Sequence, residues 1–218
     1  MKRIFAVLIG LLLLCTLAAC AETENQSVSS SSQPVQEEYR SENESSSSQD
    51  ESEPVADENP KILVAYFSAT GNTEYIAQHI QTILSADLYE IVPEDPYTDD
   101  DLNYNTDDCR ANQEQNDPDA RPSIAGTLEH PEDYDVMFLG YPIWWGEAPK
   151  IMHTFLASYN FDGVTIVPFC TSGSSGIGSS AETLYALAPD ANWLPGQRFS
   201  GSAAQEEVAA WIEELELP

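Results

Sequence analysis

From Lys61 to Phe67 the chain reads Lys-Ile-Leu-Val-Ala-Tyr-Phe, an apolar stretch rich in β-formers and without polar alternation. A strand with one wet face alternates, so a strand that does not must be covered on both faces. The cover follows at once, with Ile76, Ala77, Ile80, Ile83 and Leu84 at helical spacing. The pattern then repeats. Strands are expected over Leu88–Val92, Val136–Gly140 and Val164–Phe169, and a weaker one over Asn192–Phe199, where Pro195 and Gly196 interrupt it. A helix from Pro149 presents Ile151, Met152, Phe155 and Leu156, with the proline suited to a first helical position. The capping-box patterns Ser179-x-x-Glu182 and Ser202-x-x-Gln205 predict two more helix starts. The last helix carries Val208, Trp211, Ile212 and Leu215 on one stripe. Alternating strands and helices imply an α/β fold with a parallel sheet and helices on both faces. Ligands of such sheets bind beyond the carboxyl ends of the strands. The segments 68–73, 141–148 and 170–178 follow the first, third and fourth strands, so they should share one rim.

Pro60 marks the start of this domain, over 60–218. Residues 21–59 are Ser, Glu, Asp, Gln and Asn with almost nothing apolar. Such a stretch cannot bury enough surface to offset its ordering entropy, and it is expected to be a disordered tether. A coil of about 39 residues reaches roughly 35 Å. Before it, Lys2 and Arg3 precede an apolar run from Ile4 to Ala19. Sixteen residues rising about 1.5 Å each fall short of a hydrocarbon core roughly 30 Å thick. A charged start, a short apolar run and small residues before a cut site describe a secretion signal over residues 1–19. Its end, Leu17-Ala18-Ala19-Cys20, resembles the bacterial lipobox. That resemblance implies cleavage before Cys20 and lipid on its sulfur, hence a protein outside the cytoplasm, anchored to the cell membrane without spanning it.

Charge narrows the partners. The chain carries 8 Lys+Arg against 37 Asp+Glu, a net of −29, of which residues 21–59 hold −10 and residues 60–218 hold −21. Nucleic acid and anionic lipid surfaces need basic patches, so neither is an expected direct partner.

The three loops have distinct chemistry. Ser68-Ala-Thr-Gly-Asn-Thr73 offers hydroxyls, an amide and a helix N-terminus, which suits one phosphate held by neutral donors, or a plain capping turn. It lacks the Lys of a nucleoside-triphosphate loop. Tyr141-Pro-Ile-Trp-Trp-Gly-Glu-Ala-Pro149 puts two adjacent indoles at a strand exit; one can face a planar ligand while the other packs or closes the pocket, or both can simply pack. Thr171-Ser-Gly-Ser-Ser-Gly-Ile-Gly-Ser-Ser180 supplies backbone donors, or a hinge. Its Gly176-x-Gly178-x-x-Ala181 is not a dinucleotide fingerprint, which belongs after the first strand of its unit.

Together these loops resemble those of the flavodoxins, over nearly all of 61–218, and more narrowly those of flavodoxin-like lipoproteins and reductases of anaerobic bacteria. The resemblance implies a doubly wound five-stranded parallel sheet of order 2-1-3-4-5 and FMN as cofactor. By it, Ser68, Thr70, Gly71, Asn72 and Thr73 hold the FMN phosphate. Pro142, Ile143, Trp144, Trp145 and Gly146 line the isoalloxazine, and Thr171, Ser172, Gly173, Ser174 and Gly176 border its other side. The acidic region 93–134 departs from the family pattern, being longer than the linker of a minimal flavodoxin. The function implied is electron transfer between redox partner proteins or small acceptors. Two other readings stand beside it: an FMN-dependent NAD(P)H:quinone-type oxidoreductase, which secretion disfavours because nicotinamide nucleotides are cytoplasmic, and an FMN-binding module without turnover.

Side-chain catalysis and metal binding find little support. The hydrolase elbow Gly-x-Ser-x-Gly is unmatched, and His79, His130 and His153 are scattered singly. The run Asp99–Asp108 fails as a calcium loop, with Tyr104 at its sixth position and Arg110 at its twelfth. Cys109 and Cys170 are candidates for a disulfide, and Cys170 also reads as core.

Overall fold

A computed structural model describes residues 59–218. The expected signal, lipidation site and tether, residues 1–19 and 20–59, lie outside the described residues but for Asn59. In chain order the elements are β1 (Ile62–Tyr66), α1 (Asn72–Leu84), β2 (Asp87–Glu90), β3 (Val92–Pro93), α2 (Arg110–Asn116), β4 (Ile124–Ala125), β5 (Val136–Pro142), α3 (Lys150–Ser158), β6 (Thr165–Thr171), α4 (Glu182–Tyr185), β7 (Asn192–Trp193), β8 (Gln197–Phe199) and α5 (Gln205–Glu213).

The main sheet runs β2-β1-β5-β6-β7, with β8 also on β6, and every pairing is parallel. Counted along its parallel strands this is the expected 2-1-3-4-5 order. The unalternating strands divide their side chains between two cores. Leu63, Ala65, Met137, Leu139, Ile166 and Cys170 face α3 and α4. Val64, Tyr66, Phe138, Val167 and Phe169 face α1 and α5 through Ile76, Ile80, Val208 and Trp211. Each large side chain so buried contributes about 1.5–3 kcal/mol. Gly140 allows the tightest approach: a Cβ there would lie 2.2 Å from the Phe169 ring.

Several boundaries differ from expectation. The second strand ends at Glu90; Val92 instead pairs antiparallel with Ala125 in a two-stranded ribbon. β5 and β6 each run two residues further than the sequence suggests, to Pro142 and Thr171, because both continue to pair with each other. The fifth strand splits into β7 and β8. Pro195 has no N–H to give, and at Gly196 a Cβ would meet Ile177 Cδ1 at 2.5 Å and the Pro168 carbonyl at 2.7 Å. Neither capping box forms. α4 and α5 begin after Ala181 and Ala204 with no side-chain cap, and Pro149 precedes α3 rather than opening it. The acidic insert holds α2, which apolar periodicity does not reveal because only Ala111 of its seven residues is buried. Among the described residues no helix is long and apolar enough to cross a membrane.

Candidate functional site

A cavity of about 330 Å³ opens at the carboxyl end of the parallel strands, at the lower end of the roughly 300–1,000 Å³ usual for small-molecule sites. The loop after β1 contributes Ala69, Thr70 and Asn72 to its wall. The end of β5 and its exit contribute Pro142, Ile143 and Trp144, and the end of β6 and its exit contribute Thr171, Ser172 and Gly173. Sheet topology brings the three loops together: β1 lies beside β5 and β5 beside β6.

The sequence reading missed four further lining residues. Leu102 and Tyr104 come from the acidic insert, and Ser200 and Gly201 follow β8. Tyr104, an aromatic within a run of carboxylates, was the signal available for the first pair. Gly201 carried none, since its role appears only in space: a Cβ there would lie 2.4 Å from Asn72 Oδ1.

The first loop enters α1 through Gly71, which adopts φ +81, a left-handed conformation that favours glycine. Among the described residues the amides of Ser68 to Glu74 donate to no backbone carbonyl, as expected of a helix start. Ser68 Oγ is buried without a hydrogen-bond partner. Thr70 Oγ1 accepts from Asn72 Nδ2 at 3.1 Å. Thr73 does not line the cavity; its buried hydroxyl lies 2.8 Å from that of Thr171, tying α1 to β6.

The two tryptophans part ways. Trp144 is 2 % exposed and packs edge-on against Phe67 at 5.6 Å and Tyr97 at 5.1 Å. Trp145 is 44 % exposed and leans on Tyr104 at 5.0 Å, outside the lining. Trp144 and Glu147 exchange two backbone hydrogen bonds of 3.0 Å around Trp145 and Gly146. Gly146 therefore shapes the turn, not the wall.

The third loop is held from β8, where Arg198 donates from Nε to Ser172 Oγ at 3.1 Å and from a second nitrogen to the Ser172 carbonyl. Among the described residues no charged side chain lines the cavity, and Arg198 reaches it only through the lining residue Ser172. Ser174 and Gly176 are exposed and lie beyond the lining. Cys170 lies beneath, its thiol pushed up to about 12 by burial, with Arg198 pulling the other way. Cys170 and Cys109 are both buried free thiols, not a disulfide. His79 and His153 lie on α1 and α3 and His130 beside the short turn 131–133, none on the cavity. Among the described residues no cluster of His, Cys, Asp or Glu could hold a metal ion.

The site can take a ligand with a polar, anionic end and a flat, less polar body. Hydroxyls and amides gather at the α1 start, while Pro142, Ile143, Trp144 and Leu102 provide apolar wall.

Comparison with known proteins gives a consistent picture. The family model for flavodoxin matches residues 61–215. The structure of a candidate flavoprotein from Bacteroides eggerthii DSM 20697 is 44 % identical with a TM-score of 0.69, covering 73 % of this chain and 100 % of its own. One from Bacteroides uniformis ATCC 8492 is 39 % identical with a TM-score of 0.68, covering 71 % and 99 %. A flavoprotein of Lactobacillus acidophilus NCFM, solved in complex with FMN, shares the fold at 24 % identity and a TM-score of 0.53, covering 71 % and 99 %. No curated protein matches the chain.

Proposed function

The chain belongs to the flavodoxin family, and from that membership we propose that it binds one FMN and carries electrons between redox partners, held outside the cytoplasm by lipid on Cys20. The cofactor rests above all on the start of α1, where Thr70 and Asn72 line the cavity beside unpaired amides and the Ser68 hydroxyl, outside the lining itself, is buried and unpartnered. A buried hydroxyl without a partner is costly, and a phosphate ester would satisfy it. Neutral donors suffice, because the helix start adds its own partial positive charge.

FMN, when bound, supplies one- and two-electron chemistry that no side chain of the cavity provides. The chain's own residues do the rest. Ser68, Thr70, Asn72 and the amides after Gly71 orient the phosphate end. Trp144, held edge-on by Phe67 and Tyr97, keeps water from one wall. Arg198 fixes the Ser172 backbone on the other. The −21 of residues 60–218 disfavours added negative charge in the cavity and so lowers the potential of whatever is reduced there.

Titration of the full chain with FMN should show one-to-one quenching of flavin fluorescence and yield a yellow protein. No measurable affinity would sink the cofactor assignment. Labelled fatty acid should appear on the wild-type chain and not on Cys20→Ala; label persisting on the variant would refute the anchor. The carrier role fails if the reduced holoprotein passes electrons to no acceptor in a membrane fraction.

A further inference from the structure

We propose that Gln115, on α2 of the acidic insert, is a positioning residue that holds the double-tryptophan turn of the cavity in a backbone conformation its own sequence disfavours. Its consequence for the cofactor rests on the FMN reading above.

The turn itself is unusual. Both residues between Trp144 and Glu147 have positive φ, +48 at Trp145 and +87 at Gly146. With the two reciprocal hydrogen bonds this is a type I′ turn, for which Asn-Gly and Gly-Gly are the natural sequences. Gly146 fits; a tryptophan at positive φ is an outlier. Such a residue persists only where its surroundings over-determine it.

Gln115 supplies what the local sequence lacks. Its Nε2 donates to the Trp144 carbonyl at 3.1 Å and the Ala148 carbonyl at 3.3 Å, one on each flank of the turn. Its Oε1 is buried with no partner. Burying an unpaired amide oxygen is unfavourable, and a leucine of similar size would avoid it. The side chain therefore earns its place through its donors. Other contacts to the turn come from the same insert: Tyr97 packs on Trp144, and Tyr104 on Trp145. α2 is in turn braced, with Arg110 joined to Glu114 at 2.7 Å and to Asp95 at 3.2 Å and lying 4.2 Å over the Tyr97 ring. The insert acts as a clamp on the cavity wall, and Gln115 is its point of grip.

A double-mutant cycle on the full chain tests this, combining Gln115→Leu with Trp145→Asn, which gives the turn an Asn-Gly sequence that adopts the conformation unaided. Gln115→Leu alone should alter the near-ultraviolet tryptophan circular dichroism and weaken FMN binding about tenfold. In the Trp145→Asn background the same change should weaken binding less than about threefold. Equal losses in both backgrounds, or wild-type affinity in Gln115→Leu, would overturn the proposal. The cycle is also read from thermal unfolding of the flavin-free chain, where a non-additive shift supports the clamp and additive shifts refute it. A wild-type chain that takes up no FMN thus removes the cofactor reading while the clamp is still judged.

Discussion

Ser68 separates stability from binding more cleanly than any other residue. Its hydroxyl has no partner in the folded protein, so Ser68→Ala should leave the melting temperature of the flavin-free chain unchanged or raise it by up to about 1 kcal/mol equivalent. On the proposed phosphate role, the same change removes a donor to a charged group, worth about 1.5–3 kcal/mol, and should weaken FMN at least about tenfold in a fluorescence titration. A fall in stability with unchanged affinity would show the hydroxyl to be structural. Gly146 makes the opposite case. Nothing crowds a Cβ there, yet φ is +87, so Gly146→Ala should cost roughly 1–2 kcal/mol in urea unfolding through backbone strain alone. The Gly146 requirement can be suspected from Trp-Gly after a strand. The Trp145 strain cannot, because no local rule would place a tryptophan at positive φ.

At the scale of elements, α3 carries a half-buried titratable group. His153 is pushed down to about 4, mainly by burial and further by Lys150 and Arg121. A depressed histidine binds its proton more readily in the unfolded chain, so stability is full above the ordinary value near 6.5 and falls as pH drops toward 4. Stability by denaturant unfolding should therefore drop by on the order of 1–3 kcal/mol more between pH 7 and pH 4.5 in the wild type than in His153→Gln. Equal drops would show that His153 does not titrate abnormally. The pairing of β5 with β6 depends on Gly140 beneath Phe169; Gly140→Ala should cost about 1–3 kcal/mol by overpacking. Strand and helix identities were readable here because continuous apolar runs and 3.6-residue stripes are local signals. The capping boxes misled for an equally physical reason. Ser179 is exposed and gives the start of α4 only its backbone carbonyl, which accepts from the Glu182 and Thr183 amides, and Ser202 lies beside Ser200 instead of capping α5.

For the whole molecule, the excess of acid is the dominant global term. Residues 60–218 hold a net −21, which destabilises the compact state by self-repulsion. Raising NaCl from about 0.01 M to about 1 M, where the screening length falls from roughly 30 Å to 3 Å, should raise the melting temperature; a fall would mean that paired charges outweigh the repulsion. Much of this protein was determined by sequence alone. Residues 61–67 demanded cover on both faces, the later segments supplied it, and the loops after the first, third and fourth strands had to meet on one rim. Thr70, Asn72, Pro142, Ile143, Trp144, Thr171, Ser172 and Gly173 do meet there. Only the tertiary structure decided which of their neighbours turn away: Thr73 toward Thr171, Trp145 toward Tyr104, Ser174 and Gly176 toward solvent. Only it brought Leu102, Tyr104, Ser200 and Gly201 to the wall and set Gln115 against the tryptophan turn. Periodicity and turn chemistry act over a few residues and are written locally. The partners of Gln115 lie about thirty residues away in sequence, so their meeting is settled by how the insert packs on the sheet, which no short window of sequence contains.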